Sequence, residues 1–384
     1  MIKFLHTADW QIGKPFQSVE DISKRESLRK QRLDTVRNLK SLIDAEKVSF
    51  VVVSGDLFDS STPDSATVSG LCSAIGSLEV PVYAIPGNHD HGGPGCIWEQ
   101  EFFLREQAQL APNFHILLEA KPVIFEHVVL LPCPLLRRHE SSDPTAWLRT
   151  EPNGLPQELP RIVLAHGSTQ GFSSSGDADE AAAVNQIDLS QLPEHAYDYI
   201  ALGDWHGMKE VTPYAWFSGT PEQDRFARGD NNRPGHVLLV ETDKHASPAS
   251  IKAIPTGQIG WHELEPFTLT GDDDLDTLEA QVNERVGNRT GKDLLKLNVH
   301  GTLSFGGAER LEQIVESLHA RLIRLRLEQR VQIEPTTGEL AALTQSTDPL
   351  IAQVATQLQA ETATDPVARD ALRELHFQVQ GGAR

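Results

Sequence analysis

Five short polar clusters in this chain carry side chains that bind metals or move protons. Asp9 and Gln11 stand in ADWQIG, Asp56 and Asp59 in GDLFD, and Asn88, His89 and Asp90 are consecutive in PGNHD. His166 precedes Gly167, and Asp204 and His206 lie in GDWH. Carboxylate and amide oxygens suit hard cations, while imidazole offers a nitrogen ligand or a proton. One Asp or Asn after a strand is ordinary turn or cap chemistry. Five clusters, each within a residue or two of an apolar run, rarely arise that way. Such a cage could hold a pair of divalent cations, and two cations about 3.5–4 Å apart can clamp the oxygens of a substrate and lower the pKa of a water between them.

The elements that must position these residues are legible from periodicity. Apolar, β-branched runs at Ile2 to His6, Phe50 to Ser54, Val82 to Ile85, Arg161 to Ala165 and Tyr199 to Leu202 read as strands ending at the five clusters. Leu33, Val36, Leu39 and Ile43 recur at helical steps within a charged helix from about Asp21 to Lys47, most simply a solvated cover on a sheet. Further helices are expected near Ser65 to Leu78 and Glu99 to Gln107. Short strands are expected near Phe114 to Leu118, Val123 to Phe125 and Val128 to Leu131, before a Pro-rich surface excursion from Pro132 to Pro160. Ser173 to Gly176 reads as a loop. Strands near Ala215 to Ser218, His236 to Glu241 and Ile251 to Ile254 look like antiparallel additions. After about Gly257 the pattern changes to helix Asp272 to Val286, strand Leu294 to His300, helix Ala308 to Leu325 and strand Val331 to Glu334. Two candidate helices, Pro349 to Leu358 and Pro366 to Leu375, close the chain and either pack on the body or await a partner.

Composition bounds the rest. The chain has 384 residues and a net charge of -20, so a nucleic-acid surface, if present, is local. Three widely spaced cysteines without a CxxC argue against a disulfide framework and fit a reducing, cytoplasmic compartment. No apolar run approaches a membrane span or a signal peptide.

Asp9-x-Gln11, Gly55-Asp56-x-x-Asp59, Gly87-Asn88-His89-Asp90, His166 and Gly203-Asp204-x-His206 resemble, in its usual order, the signature of the calcineurin-like metallophosphoesterases. The opening HTADW, the phrase Ser218-Gly219-Thr220-Pro221-Glu222 and the layout after the core resemble the SbcD-type nucleases of that family. The resemblance implies an α/β fold: a layered β-sandwich flanked by helices over residues 1–257, a small α/β capping domain over 258–335 and a helical tail over 336–384. It implies one metal held by Asp9, Gln11, Asp56 and His206, and another by Asp56, Asn88, His166 and Asp204. Gln11 and Asp204 stand where the family usually has His. The cage is therefore richer in oxygen, which suits manganese, or magnesium, over zinc. His89 would protonate the leaving oxygen, with Asp59 and Asp90 orienting it and the ligands. Arg225, Arg228 and Arg233, in the loop after the SGTPE phrase, are candidates for DNA phosphate contacts.

The activity implied is a metal-dependent DNA exonuclease and endonuclease. The partners implied are DNA and an SMC-like ATPase of the SbcC type bound through the carboxyl-terminal helices; a homodimer is compatible with the resemblance. Two rival readings are a phosphodiesterase or phosphatase acting on small molecules, and a scaffold with a decayed site. His6, His91, Trp10 and Trp205, beside the motifs, read as packing residues or supports to the ligands.

Overall fold

The computed structural model describes residues 1–169, 184–226, 232–244 and 246–381. It divides into two compact units, Met1–Trp261 and His262–Arg384. The Ser173–Gly176 loop and Arg228 lie outside the described residues.

The first unit begins with β1 (Ile2–Thr7), α1 (Ile22–Glu46), β2 (Phe50–Ser54), α2 (Ser65–Gly76), β3 (Val82–Ile85), α3 (Glu101–Leu110) and β4 (Phe114–Ile116). It continues with β5 (Val123–Ile124), β6 (Val129–Cys133), β7 (Arg161–His166), β8 (Ser168–Thr169), β9 (Gln186–Ile187) and β10 (Tyr199–Gly203). β11 (Lys209–Thr212), β12 (Ala215–Phe217), β13 (His236–Asp243) and β14 (Ala246–Pro255) complete it, and β15 (Gly260–Glu263) spans the boundary with the second unit. Two six-stranded sheets result, in the orders β14-β13-β1-β2-β3-β4 and β11-β12-β10-β7-β6-β5. β13 and β14 are antiparallel additions as expected, but β12 runs parallel to β10. Nothing in its three-residue apolar run encodes the direction of pairing.

Side chains alternate across each strand, and that alternation builds a sandwich. Phe4, Val52, Ile85, Leu130, Ile162, Leu164 and Leu238 share the core between the sheets. Leu5, Val51, Val53 and Ala84 face outward, where Val36, Leu39 and Ile43 of α1 and Leu71 and Ile75 of α2 cover them. The buried stripe of α1 also takes in Gln31, Arg32 and Thr35. α1 is therefore more than a solvated cover: polar groups on its inner face point toward the site loops. The Pro-rich excursion also begins later than expected, because Pro132 lies in β6 and is buried with it.

The second unit contains β16 (Phe267–Leu269), α4 (Asp274–Val286), β17 (Asp293–Leu303), α5 (Phe305–Arg321) and β18 (Arg324–Ile333), followed by α6 (Thr337–Thr344), α7 (Pro349–Glu361) and α8 (Pro366–Gly381). β17 pairs in parallel with β16 and β18. Leu275, Leu278 and Val282 of α4 pack with Leu311 and Leu318 of α5 over Leu295, Leu297 and Val299. The expected helix Ala308 to Leu325 ends at Arg321, and β18 starts well before Val331. α7 and α8 do not stand alone: Ala355 and Leu372 join Leu343 of α6 and Phe305 of α5 in one small cluster. Among the described residues no helix is long and apolar enough to cross a membrane, and all three cysteines are free and buried.

Candidate metal centre

The parallel strands β1, β2 and β3 end on one edge of the first sheet, and β7 and β10 end on one edge of the second. Asp9, Asp56 and Asn88 follow the first three; His166 is the last residue of β7, and Asp204 and His206 follow β10. The cage is therefore not the edge of one sheet but the meeting of two strand-end edges across a sandwich. Glycine permits the approach: a Cβ on Gly55 would collide with the His166 ring, and one on Gly203 with the Ser54 carbonyl.

The loops are held in sparsely populated backbone. Asp9, Gln11, Asp56 and Asp204 have φ of 54°, 41°, 55° and 102°, a region that costs non-glycine residues energy and that clusters at functional sites. Cross-loop bonds enforce it. The Asp9 N–H donates to the Gly55 carbonyl (3.1 Å) and the Gln11 N–H to the Asp56 carbonyl (2.9 Å).

One oxygen each from Asp9 and Asp56 and one ring nitrogen of His166 lie within 4.8 Å of one another, and all three residues are buried. The Asn88 Oδ1 is 3.0 Å from the His166 Nε2, and the Asp204 Oδ1 is 3.9 Å from it. The His166 Nδ1–H donates to the Ser54 carbonyl (2.7 Å), which turns Nε2 into the cage. Burial alone would lower the His166 pKa, but Asp56, Asp9 and Asp204 outweigh it and raise the value to about 9. Burial likewise raises Asp9 to about 6. The carboxylates that hold a proton on His166 form the donor set a divalent cation requires, so this side of the centre fits a metal.

The Gln11–His206 side is built differently. The Lys14 ammonium donates to the Gln11 Oε1 (2.7 Å) and to the Asp59 Oδ1 (3.2 Å), and pairs with Asp224 (3.2 Å). The Gln11 amide nitrogen lies 3.2 Å from the His206 Nε2, and the Arg225 guanidinium lies 2.9 Å from the same atom. The His206 Nδ1–H donates to the Asp224 carboxylate (3.0 Å). Burial opposes ionisation of Asp224, but His206, Arg225 and Lys14 overcome it and hold the carboxyl well below the usual range.

The remaining expected residues take identifiable places. The His89 N–H donates to the Asp56 Oδ1 (2.9 Å), and its Nδ1–H donates to the Asp59 backbone carbonyl (2.8 Å). Asp59 thus orients His89 through its main chain, while its carboxylate holds Lys14. The Asp90 carboxylate accepts from the N–H groups of Leu57 (2.7 Å), Phe58 (3.1 Å) and Gly87 (2.7 Å), bracing the loops that carry Asp56 and His89 against each other. Arg233 is exposed, and its carbonyl accepts from the Met208 N–H. His6 is packed, bonded to the Tyr199 hydroxyl (2.9 Å), and burial drives its pKa down to about 3.

Three supporting residues, Arg32, Lys14 and Asp224, escaped the motif reading, and a fourth, Glu222, entered it only as part of the SGTPE phrase. Arg32 is buried and donates to the carbonyls of Asp9 (3.0 Å), Trp10 (2.8 Å) and Glu222 (2.9 Å) and to the Thr220 hydroxyl (3.0 Å). Glu222 accepts from the Thr35 hydroxyl (2.6 Å) and from the N–H groups of Gln258 and Ile259. Lys14 and Asp224 complete the set. The available signal was a charged residue on an apolar stripe: Arg32 falls four residues after Leu28 and four before Val36.

The chain is similar to several known proteins. A curated relative, a nuclease SbcCD subunit of Staphylococcus epidermidis, is 22% identical over 265 residues, spanning 63% of this chain and 67% of that protein. Among solved structures, TT1561 of Thermus thermophilus is 13% identical with a TM-score of 0.39, covering 66% of this chain and 99% of that one. A second solved structure is 13% identical with a TM-score of 0.40 and covers 66% of this chain and 98% of its own. The family model described as calcineurin-like phosphoesterase matches residues 2–208, which takes in every strand end described above. The chain belongs to the calcineurin-like phosphoesterase family.

Proposed function

We propose that this chain is a metal-dependent phosphodiesterase that cuts DNA. The observation that carries the reading is the buried group Asp9, Asp56 and His166, with Asn88 against His166 and His89 on the same loop. A divalent cation bound there would polarise a phosphoryl oxygen and lower the pKa of a water. The chain's own groups do the rest. Asp9, Asp56, Asn88 and Asp204 offer oxygens and His166 a single imidazole, a set that favours manganese or magnesium over zinc. Ser54 and Asp56 fix the His166 ring and the His89 main chain. His89, with Nδ1 committed to the Asp59 carbonyl and Nε2 4.0 Å from Asp56, is placed to pass a proton to the leaving oxygen. Arg225 and Arg233 border the His206 side and would meet backbone phosphates; Arg228 belongs to the same proposal from sequence alone.

DNA as substrate is supported by the relative named as a nuclease subunit. An SMC-like ATPase partner is supported by the same name and by exposed apolar side chains on the tail helices, Leu350 and Val354 on α7 and Val367 on α8. The net charge of -20 favours the second reading, a phosphodiesterase acting on small molecules.

The test is an assay of metal-stripped protein on end-labelled single- and double-stranded DNA, with manganese, magnesium and zinc added back, beside an aryl phosphodiester. Manganese-restored cutting of DNA is expected, with His89→Ala about 10²–10⁴-fold slower, the span of a lost acid–base group. Hydrolysis of the aryl ester without any DNA cutting would select the small-molecule reading. Activity restored by zinc alone would overturn the metal assignment.

A further inference from the structure

We infer that the centre keeps one resident cation, among Asp9, Asp56, Asn88, His166 and Asp204, and that Lys14 and Arg225 supply the positive charge on the Gln11–His206 side. The inference rests on the metal-dependent reading and changes its stoichiometry. A glutamine has one metal-binding atom, its amide oxygen. In Gln11 that oxygen accepts from the Lys14 ammonium at 2.7 Å. An ammonium has donors only, so it fixes which end of the amide faces it. The amide N–H₂ is thereby turned toward His206, 3.2 Å from Nε2. Gln11 presents a donor to the cage where a ligand would present a lone pair.

His206 is engaged to the same effect. Asp224 takes its Nδ1–H, so Nε2 carries the lone pair. The Arg225 Nη2 packs against the His206 ring, 2.8 Å from Nδ1 and 2.9 Å from Nε2, and so fills the space beside that lone pair with positive charge. Of the four groups implied for a metal on this side, Gln11 and His206 are thus bonded to cationic or amide donors, and Asp9 and Asp56 are shared with the opposite pocket. Lys14 is not a stray surface charge: its side chain is 22% exposed, and Asp59 and the almost fully buried Asp224 anchor it beside Gln11. Arg225, at 42% side-chain exposure, stands at the rim where an anionic substrate arrives. A guanidinium can bind a phosphoryl group through two parallel N–H bonds, so this side can still neutralise substrate charge.

The experiment is a manganese titration of the full chain. Bound metal is counted by mass spectrometry after desalting, and the bound ion is observed by electron paramagnetic resonance. One equivalent per chain with the signal of an isolated ion is expected. Gln11→His combined with Lys14→Ala restores a nitrogen ligand and removes the competing cation, and should take a second equivalent with an exchange-coupled signal. Should that variant fail to fold, Arg225→Gln uncovers the His206 Nε2 and is expected to admit a second, weaker equivalent. Two tightly held equivalents in the unaltered chain would overturn the inference and leave the metal-dependent reading standing. A single equivalent in both folded variants would also overturn it. No bound manganese at all would overturn both.

Discussion

Both units of this chain contain parallel strands whose carboxyl ends run into polar residues, yet the two sets of strand ends do opposite work. In the second unit β17 ends at Leu303, and Ser304 follows with an extended backbone, φ −72°. Its hydroxyl accepts from the Gly307 N–H (3.0 Å), and Asp272 takes the Ser304 N–H (2.9 Å). The Ser304 hydroxyl thus serves a helix end, the ordinary N-cap use of Ser, and Asp272 braces the capping residue. In the first unit Asp9 and Asp56 follow β1 and β2 in left-handed backbone. They begin no helix, and their carboxylates face His166 and each other. A strand-end carboxylate consumed by a cap is structural; one held in strained backbone against other carboxylates is poised for a cation. The difference lies in what the neighbouring backbone asks of the side chain, and residue type alone does not reveal it.

The contrast implies that lesions in the two units read out differently, and Arg32→Met is the strongest test. The substitution keeps most of the side chain's bulk but leaves the carbonyls of Asp9, Trp10 and Glu222 without their buried donor. Uncompensating a buried charged network costs about 3–5 kcal/mol, concentrated on the loop that carries Asp9. The expected outcome is a large drop in the denaturation midpoint together with weakened manganese binding. Unfolding should be followed by a probe specific to the first unit, since a two-unit chain need not melt in one step. If stability falls while manganese affinity is unchanged, Arg32 is only a packing group and the contrast between the units weakens.

Leu311→Ala is the matching lesion in the second unit. Leu311 is 1% exposed and packs among Leu275, Leu278 and Leu297. Its truncation should cost about 2–5 kcal/mol, confined to the unfolding of that unit. Manganese binding below the transition should be unchanged. A loss of metal affinity comparable to that of Arg32→Met would break the division of labour between the units.

The same contrast explains what the sequence revealed. The strand residues of β2 and β3 are legible to the residue because β-branched and aromatic runs buried on both faces leave little freedom. Asp9, Asp56, Asn88 and His166 are legible as candidates because each stands at, or within three residues of, the end of such a run; Asp9, Asp56 and His166 lie within 4.8 Å of one another with Asn88 against His166, while His206 stands on the Gln11 side. Arg32, Lys14 and Asp224 are not, nor is the bonding of Glu222 within its SGTPE phrase, since most of their partners lie far along the chain: backbone carbonyls for Arg32, Asp59 and Asp224 for Lys14, His206 and Lys14 for Asp224, and Thr35 with the Gln258 and Ile259 N–H groups for Glu222. The Arg32 bonds to Thr220 and Glu222 span 188 and 190 residues. Nor could motif spacing foretell that Asp59 would orient His89 through a carbonyl while giving its carboxylate to Lys14. The Arg321-to-Val331 region was misread because a leucine- and arginine-rich run suits a helix as well as an exposed edge strand. β18 pairs along its whole length with β17, and that tertiary pairing overrides the local preference.

The smallest effect is expected at Thr336, the start of α6, a helix that sequence periodicity missed. Its hydroxyl accepts from the Glu339 N–H (3.1 Å), and the Glu339 carboxylate accepts from the Thr336 N–H (2.7 Å), a reciprocal capping box. Glu339 also accepts from the Gly306 N–H (2.8 Å), so the cap of α6 reaches the first turn of α5. Burial would raise the Glu339 pKa, yet the N–H donors of Gly306 and Thr336 outweigh it and lower the value. A depressed carboxyl adds stability above its unfolded pKa and loses it as pH falls through the folded one. Thr336→Ala removes one acceptor and should cost about 1 kcal/mol, read as a small shift in the melting of the second unit at neutral pH. Part of the Glu339 contribution should survive in the variant, because its bonds to backbone N–H groups do not involve the hydroxyl. The variant should therefore still lose stability on acidification. A neutral-pH cost several times larger would mean that the hydroxyl, and not the carboxylate, joins α6 to α5. A variant whose stability no longer fell with acid would mean that Glu339 is held in place only by Thr336. In either case strand-end chemistry and cap chemistry would be less separable than the two units suggest.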